Sequence, residues 1–125
     1  MKVVQMSSLA DDIKEITGAY KDSAHKDATY PYAVFELDRI DSDSGDTYIL
    51  EINVWDSNRS YNRVDNVALA LEKKLHGYVE NNPYRTFTVH KGTMKHILDD
   101  DKSIKRTQLQ LTVTSYEKED INENI

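Results

Sequence analysis

A chain of 125 residues with a formal net charge of −6 has the length of one domain able to bury its own core. Its acidity argues against wrapping nucleic acid or coating an anionic membrane, both of which need clustered Lys and Arg. The lack of cysteine excludes disulfides, thiolate metal ligands and a cysteine nucleophile, no run approaches transmembrane length, and Met1–Met6 lacks the apolar stretch of a signal peptide; we expect a soluble protein that folds in a reducing compartment.

In chain order, Ser7–Tyr20 is predicted as a first helix. Leu9, Ile13, Ile16 and Tyr20 recur with helical period, Ser8 and Asp11 resemble a capping box with Asp in place of Glu, and Gly18 suits the exit. Lys21–Thr29 is polar and aperiodic, a surface loop. Tyr30–Ile40 reads as a strand, with Pro31 at its start where a missing donor is tolerated. Asp41–Asp46 is a turn-rich hairpin loop, so the flanking strands are expected to be antiparallel neighbours.

Gly45–Trp55 is the stretch around which the chain is organised. Tyr48, Leu50, Ile52 and Val54 fall on one wholly apolar face of an extended chain; Ile49, Glu51, Asn53 and Trp55 fall on a mixed one. Ser60–His76 follows as a second helix, with Val64, Val67, Ala68, Leu71 and Leu75 as its stripe, Asn58 or Ser57 as cap and Gly77 at the exit. Asn81–Pro83 breaks the chain before a third strand, Tyr84–Lys91. In Gly92–Lys102, Met94, Ile97 and Leu98 suggest a further short strand before an acidic turn. The clearest strand is the last, where Thr107, Leu109, Leu111 and Val113 alternate with Gln108, Gln110, Thr112 and Thr114 up to Tyr116. The expected fold is α+β, in the order α-β-β-α-β-(β)-β, with two helices on one face of a mostly antiparallel sheet of four to five strands. Residues 1–116 form one domain and 117–125 an acidic, flexible tail.

The residues offer little chemistry. Asp41, Asp43 and Asp46 fail as a calcium loop, because the sixth position is Asp46 instead of glycine and the twelfth is Ile52 instead of glutamate. Asp99, Asp100 and Asp101 read as a solvated turn. His25, His76, His90 and His96 have no metal-ligand spacing and are expected at exposed or edge positions. No serine sits in a nucleophile elbow, and the four glycines make no phosphate or dinucleotide loop. No catalytic residue, cofactor-binding residue or metal ligand is therefore assigned, and no cofactor is expected. Two basic clusters remain, Lys102, Lys105 and Arg106 entering the last strand and Arg59 and Arg63 at the second helix. They serve either a partner contact or plain solubility. Trp55 is either an interface anchor or a cover for the edge of its own core.

Taken together, Tyr-Pro-Tyr-Ala-Val-Phe, an Asp/Ser turn, Tyr-Ile-Leu-Glu-Ile-Asn-Val-Trp-Asp, an amphipathic helix ending Leu-Glu-Lys-Lys-Leu and a final Thr-Gln-Leu-Gln-Leu-Thr-Val-Thr-Ser-Tyr resemble a known set. The chain resembles, over about Ser7–Tyr116, the tail-terminator (tail-completion, head–tail joining) proteins of long-tailed bacteriophages and Gram-positive prophages. The resemblance implies a non-enzymatic virion protein, made in the host cytoplasm and located in the tail or neck. Its partners would be copies of itself in a ring, typically a hexamer, together with the tail-tube protein and the head connector. DNA would pass through the lumen without specific binding, and no membrane is involved. Such a ring ends tube polymerisation and joins tail to head.

A closing ring needs two different patches on each subunit. Candidate contact residues are Ile49, Trp55, Arg59, Arg63, Lys102, Lys105 and Arg106, with the loops Lys21–Thr29, Asp38–Asp46 and Gly92–Ser103. Acidic residues are expected to line the lumen. Another neck or connector protein of the virion and a cellular protein-interaction module are the alternatives.

Overall fold

The computed structural model describes residues 8–40 and 46–118. Helix α1 spans Leu9–Thr17, and its start is set locally: Ser8 Oγ accepts from the Asp11 backbone N at 3.0 Å while Asp11 Oδ2 accepts from the Ser8 backbone N at 3.1 Å. This is the expected reciprocal capping box. Gly18 ends the helix at φ +70°, the left-handed region where a side chain is strained. The helix is thus shorter than its apolar stripe suggests, because Tyr20 belongs to a two-residue strand, β1 (Tyr20–Lys21).

Strands β2 (Tyr32–Ile40) and β3 (Asp46–Ser57) pair antiparallel with Phe35 opposite Ile52 and Ile40 opposite Thr47. They form the expected hairpin; its loop, 41–45, lies outside the described residues. Helix α2 spans Asn62–Leu75, and the predicted Asn58 cap instead closes the preceding turn, its Oδ1 accepting from the Arg59 backbone N at 2.7 Å. Next come β4 (Val79–Asn81), β5 (Arg85–Ile97) and β6 (Ile104–Glu117).

The sheet has six strands in the order β1-β2-β3-β6-β5-β4, against the four to five expected. The two additions are the short edge strands. The separate strand expected after Gly92 is instead the second half of β5, continued across a bulge between Lys91 and Thr93. Gly92 is required there, since a Cβ would lie 2.6 Å from the Gln110 backbone oxygen. The bulge inverts the alternation, so Phe87 and Val89 face the core before it and Met94 after it. The start of the expected tail is instead part of the fold: Glu117 belongs to β6 and the Lys118 backbone N donates to the Tyr84 carbonyl at 2.8 Å; residues 119–125 lie outside the described residues.

The class expected from the sequence, α+β with two helices against a mostly antiparallel sheet, is what the chain adopts. One core joins Leu9 and Ile13 of α1, Val64, Ala68 and Leu75 of α2, and Phe35, Leu50, Ile52, Val54, Phe87, Val89, Leu109, Leu111 and Val113 of the sheet. Arg85 is buried beside it and joins three elements: it donates to Asp12 of α1 at 2.6 Å and to Glu117 of β6 at 2.8 Å. Among the described residues the opposite face of the sheet carries no helix. It presents cross-strand rows: Tyr32–Trp55–Arg106, then Val34–Asn53–Gln108–Lys95, then Glu36–Glu51–Gln110–Thr93, then Asp38–Ile49–Thr112–His90.

Candidate functional site

The first of these rows makes the most structured patch of the open face. Trp55 and Arg106 are register partners, and the Arg106 guanidinium lies 4.7 Å above the indole centroid. Its Nε donates to Asn53 Oδ1 at 2.9 Å, which also accepts from Gln108 Nε2 at 3.2 Å, while Asn53 Nδ2 donates to Glu51 at 3.1 Å. Asn53 is thereby only 8% exposed although it faces away from the core. A charged side chain held by stacking and a fixed hydrogen bond is pre-ordered for contact, at little further entropic cost.

The segment from Asp22 to Tyr30 folds over this row. The Asp22 backbone N donates to the Phe35 carbonyl at 2.9 Å, extending β1, and the rings hold the rest: Tyr20 meets His25 edge-on at 5.3 Å and Tyr30 stacks on Tyr32 at 5.3 Å. Between segment and sheet is an open cavity of about 720 Å³, lined among others by Tyr30, Tyr32, Glu36, Glu51, Trp55 and Arg106. Burial, with Tyr30 alongside, raises the Tyr32 hydroxyl above the ordinary tyrosine value, so it stays neutral near pH 7. The predicted loop Lys21–Thr29 is therefore one wall of a groove whose floor is Trp55. Trp55 does not cover the core, since Val54 and Asp56 on either side of it point there.

The basic residues gather at the same end of the sheet. Arg59, Lys102 and Lys105 line a depression of about 380 Å³ with Ser57, Asn58 and Ser103. Lys105 lies 5.6 Å from the Tyr61 ring and donates to the Lys102 carbonyl. Arg63 turns inward on one side: its Nε sits 3.3 Å from the carboxylate of Asp56, which is fully buried and has no hydrogen-bond partner among the described residues, and its Nη2 reaches the Tyr30 carbonyl at 3.4 Å. Arg63 is thus a structural counter-charge, holding the groove wall to α2, while about half of its side chain remains exposed. The structure brings together Trp55, Arg59, Arg63, Lys102, Lys105 and Arg106. Ile49 stands apart, six positions along β3 and about 20 Å away at the rise of a strand.

A third cluster looks catalytic and is not arranged for it. His96 Nε2 lies 2.9 Å from Asp65 Oδ1 and the imidazole stacks on Tyr61 at 3.7 Å, while Thr107 Oγ1 donates to the same Asp65 oxygen at 2.8 Å. In a nucleophile relay the imidazole stands between hydroxyl and carboxylate. Here the carboxylate stands between the other two, so the hydroxyl does not meet the imidazole, and Thr107 is fully buried, out of reach of a substrate. The cluster fastens α2 to β5 and β6.

The remaining candidates take structural positions. Asp99 and Asp101 accept backbone N–H bonds from Asp101 and Ser103, as a turn does, and hydrogen bonds from the Ser103 hydroxyl and backbone N–H hold the Asp101 carboxyl below its ordinary value. His76 follows α2 and its Nδ1 accepts from the Lys91 backbone N at 3.2 Å, and His90 is exposed on the open face. Among the described residues no three His, Asp or Glu side chains gather as a metal site would require, and no helix is long and apolar enough to cross a membrane.

Sequence reasoning missed the aromatic group of Tyr20, Tyr30 and Tyr32, the buried Asn53 and the buried Asp56. Asn53, a lone amide in an otherwise strand-forming run, was a signal that could have been followed. No protein-family model matches the chain, and no curated protein matches it at a significant level.

Proposed function

We propose that the protein is a non-enzymatic virion assembly subunit that forms a ring on the end of the tail tube of a long-tailed bacteriophage. The ring ends tube polymerisation and joins the tail to the head connector. The reading begins from the sequence resemblance. The observation that supports it is the asymmetry of the sheet: helices cover one face, and each of the two sheet edges is covered over only part of its length. On one side β1 reaches only Val34 and Phe35 of β2; on the other, β4 reaches only Thr86–Thr88 of β5. Two unlike uncovered edges per subunit are what a heterologous, closing contact uses. The basic end with Trp55 and Arg106 provides a further surface, suited to the tube or the connector. An excess of acid over base disfavours retention of DNA moving through the lumen.

The test is the mass in solution by light scattering, with and without the tail-tube protein, together with electron microscopy of tube lengths. We expect closed rings alone or on tube ends, and tubes that stop growing once capped. A protein that stays monomeric and leaves tube growth unchanged would overturn the proposal.

A further inference from the structure

The two uncovered edges are complementary in length, in direction and in charge. The free half of β2 is Glu36–Ile40, with Glu36 and Asp38 exposed on the open face. The free half of β5 is Thr93–Ile97, after the bulge, with Lys95 exposed on it and Lys91 exposed just before the bulge. Each is five residues long. Arg39, the one base on the β2 segment, is engaged by Asp46 at 2.9 Å, so the segment presents net negative charge. Among the described residues no strand lies outside either segment.

Within one subunit, β2, β3, β6 and β5 are joined by three successive antiparallel pairings, so β2 and β5 run in opposite directions. A second copy related by rotation about an axis running along the strands therefore brings its β5 antiparallel to the first copy's β2. We infer that Glu36–Ile40 of one copy pairs with Thr93–Ile97 of the next, making the sheet continuous from subunit to subunit. The inference deepens the ring reading and rests on it for closure only; the pairing itself needs only a second copy.

Pairing all five residues of each free segment fixes the register. It sets Glu36 opposite Ile97, Asp38 opposite Lys95 and Ile40 opposite Thr93. This keeps the open-face residues together and the core-side residues, Leu37 and Arg39 with His96 and Met94, together; a shift by one residue would mix them. Asp38 and Lys95 become a cross-strand pair of opposite charge. The same register carries Leu98, 88% exposed in the single chain, to the level of Phe35 beside the end of β1.

Within a subunit Thr93 lies level with Glu36, whereas across the contact it meets Ile40. Each copy is therefore displaced by four residues, about 13 Å along the strands. A constant stagger of this kind is what a sheet closing on itself requires.

Because the chain has no cysteine, cross-linking has no background. An Asp38→Cys/Lys95→Cys double variant, oxidised under the conditions in which the wild type assembles, should give a ladder of disulfide-linked multimers ending at the closed ring. Either single variant should give at most dimers. Glu36→Lys/Asp38→Lys and Lys91→Glu/Lys95→Glu should each weaken assembly at least tenfold, and an equimolar mixture of the two should restore it. All four positions are exposed, so unchanged thermal unfolding will show that the fold is intact.

If wild-type rings form while the double cysteine variant gives no ladder, or the reversed variants assemble as well as the wild type, edge pairing is wrong and the ring reading survives. Wild type that does not assemble, with or without tube, together with a double cysteine variant that gives no ladder, overturns both.

Discussion

Arg85 ties the two ends of the chain together inside the fold. It is a cation, 2% exposed, and its partners Asp12 and Glu117 come from opposite ends of the chain. Arg85→Ala would leave Asp12 as an uncompensated buried charge, and removal of one partner of a buried pair costs about 3–5 kcal/mol; urea unfolding should register a loss of that order. Gly92→Ala places a methyl against the Gln110 carbonyl with backbone on both sides, so neither group can turn away. We expect about 1–3 kcal/mol of destabilisation in the same assay. Glu80 gives a pH signature. Hydrogen bonds from Asn82, then from Tyr78, hold its carboxyl below the ordinary glutamate value. The folded state thus releases this proton more readily than the unfolded state, and the contribution is complete above the unfolded value of about 4.3 and lost as pH falls through the folded one. Glu80→Gln should flatten the fall in melting temperature on acidification below that point.

At the scale of elements, the helices obey local chemistry. Ser8→Ala removes one half of a reciprocal cap and should cost about 1 kcal/mol, measurable as a lower melting temperature. The long strands were legible because Leu50, Ile52 and Val54, and Leu109, Leu111 and Val113, alternate without a break. Strands β1 and β4, of two and three residues, are too short for any period to be seen; they exist because β2 and β5 offer them an edge. The second half of β5 read as a separate strand because the bulge at Gly92 changes which parity faces the core. Of the candidate site residues, Trp55 and Arg106 are adjacent through the pairing of β3 with β6, which no local pattern states. For Arg63 the sequence offers a partner contact or plain solubility; its actual partner, Asp56, lies on the core side of β3, where an acidic residue after Trp55 gives no sign of being buried.

For the whole molecule, the sheet's open face and half-covered edges make self-association the central expectation. If the contact is the proposed pairing of acidic with basic edges, assembly should weaken as ionic strength rises toward 1 M, where the screening length is about 3 Å. Light scattering across a salt series checks this, and assembly insensitive to salt would point to an apolar contact instead. By itself the sequence determined the class of fold, the capping of α1, the main strands and the want of a recognisable catalytic motif, because period, capping and turn chemistry are carried by neighbours in the chain. Only the tertiary structure decided the edge strands, the burial of Asp56 and Arg85, the groove beneath residues 22–30 and the acidic and basic edges on opposite sides of the sheet. Those depend on which strands lie side by side, and strand order is set by contacts between residues far apart in sequence.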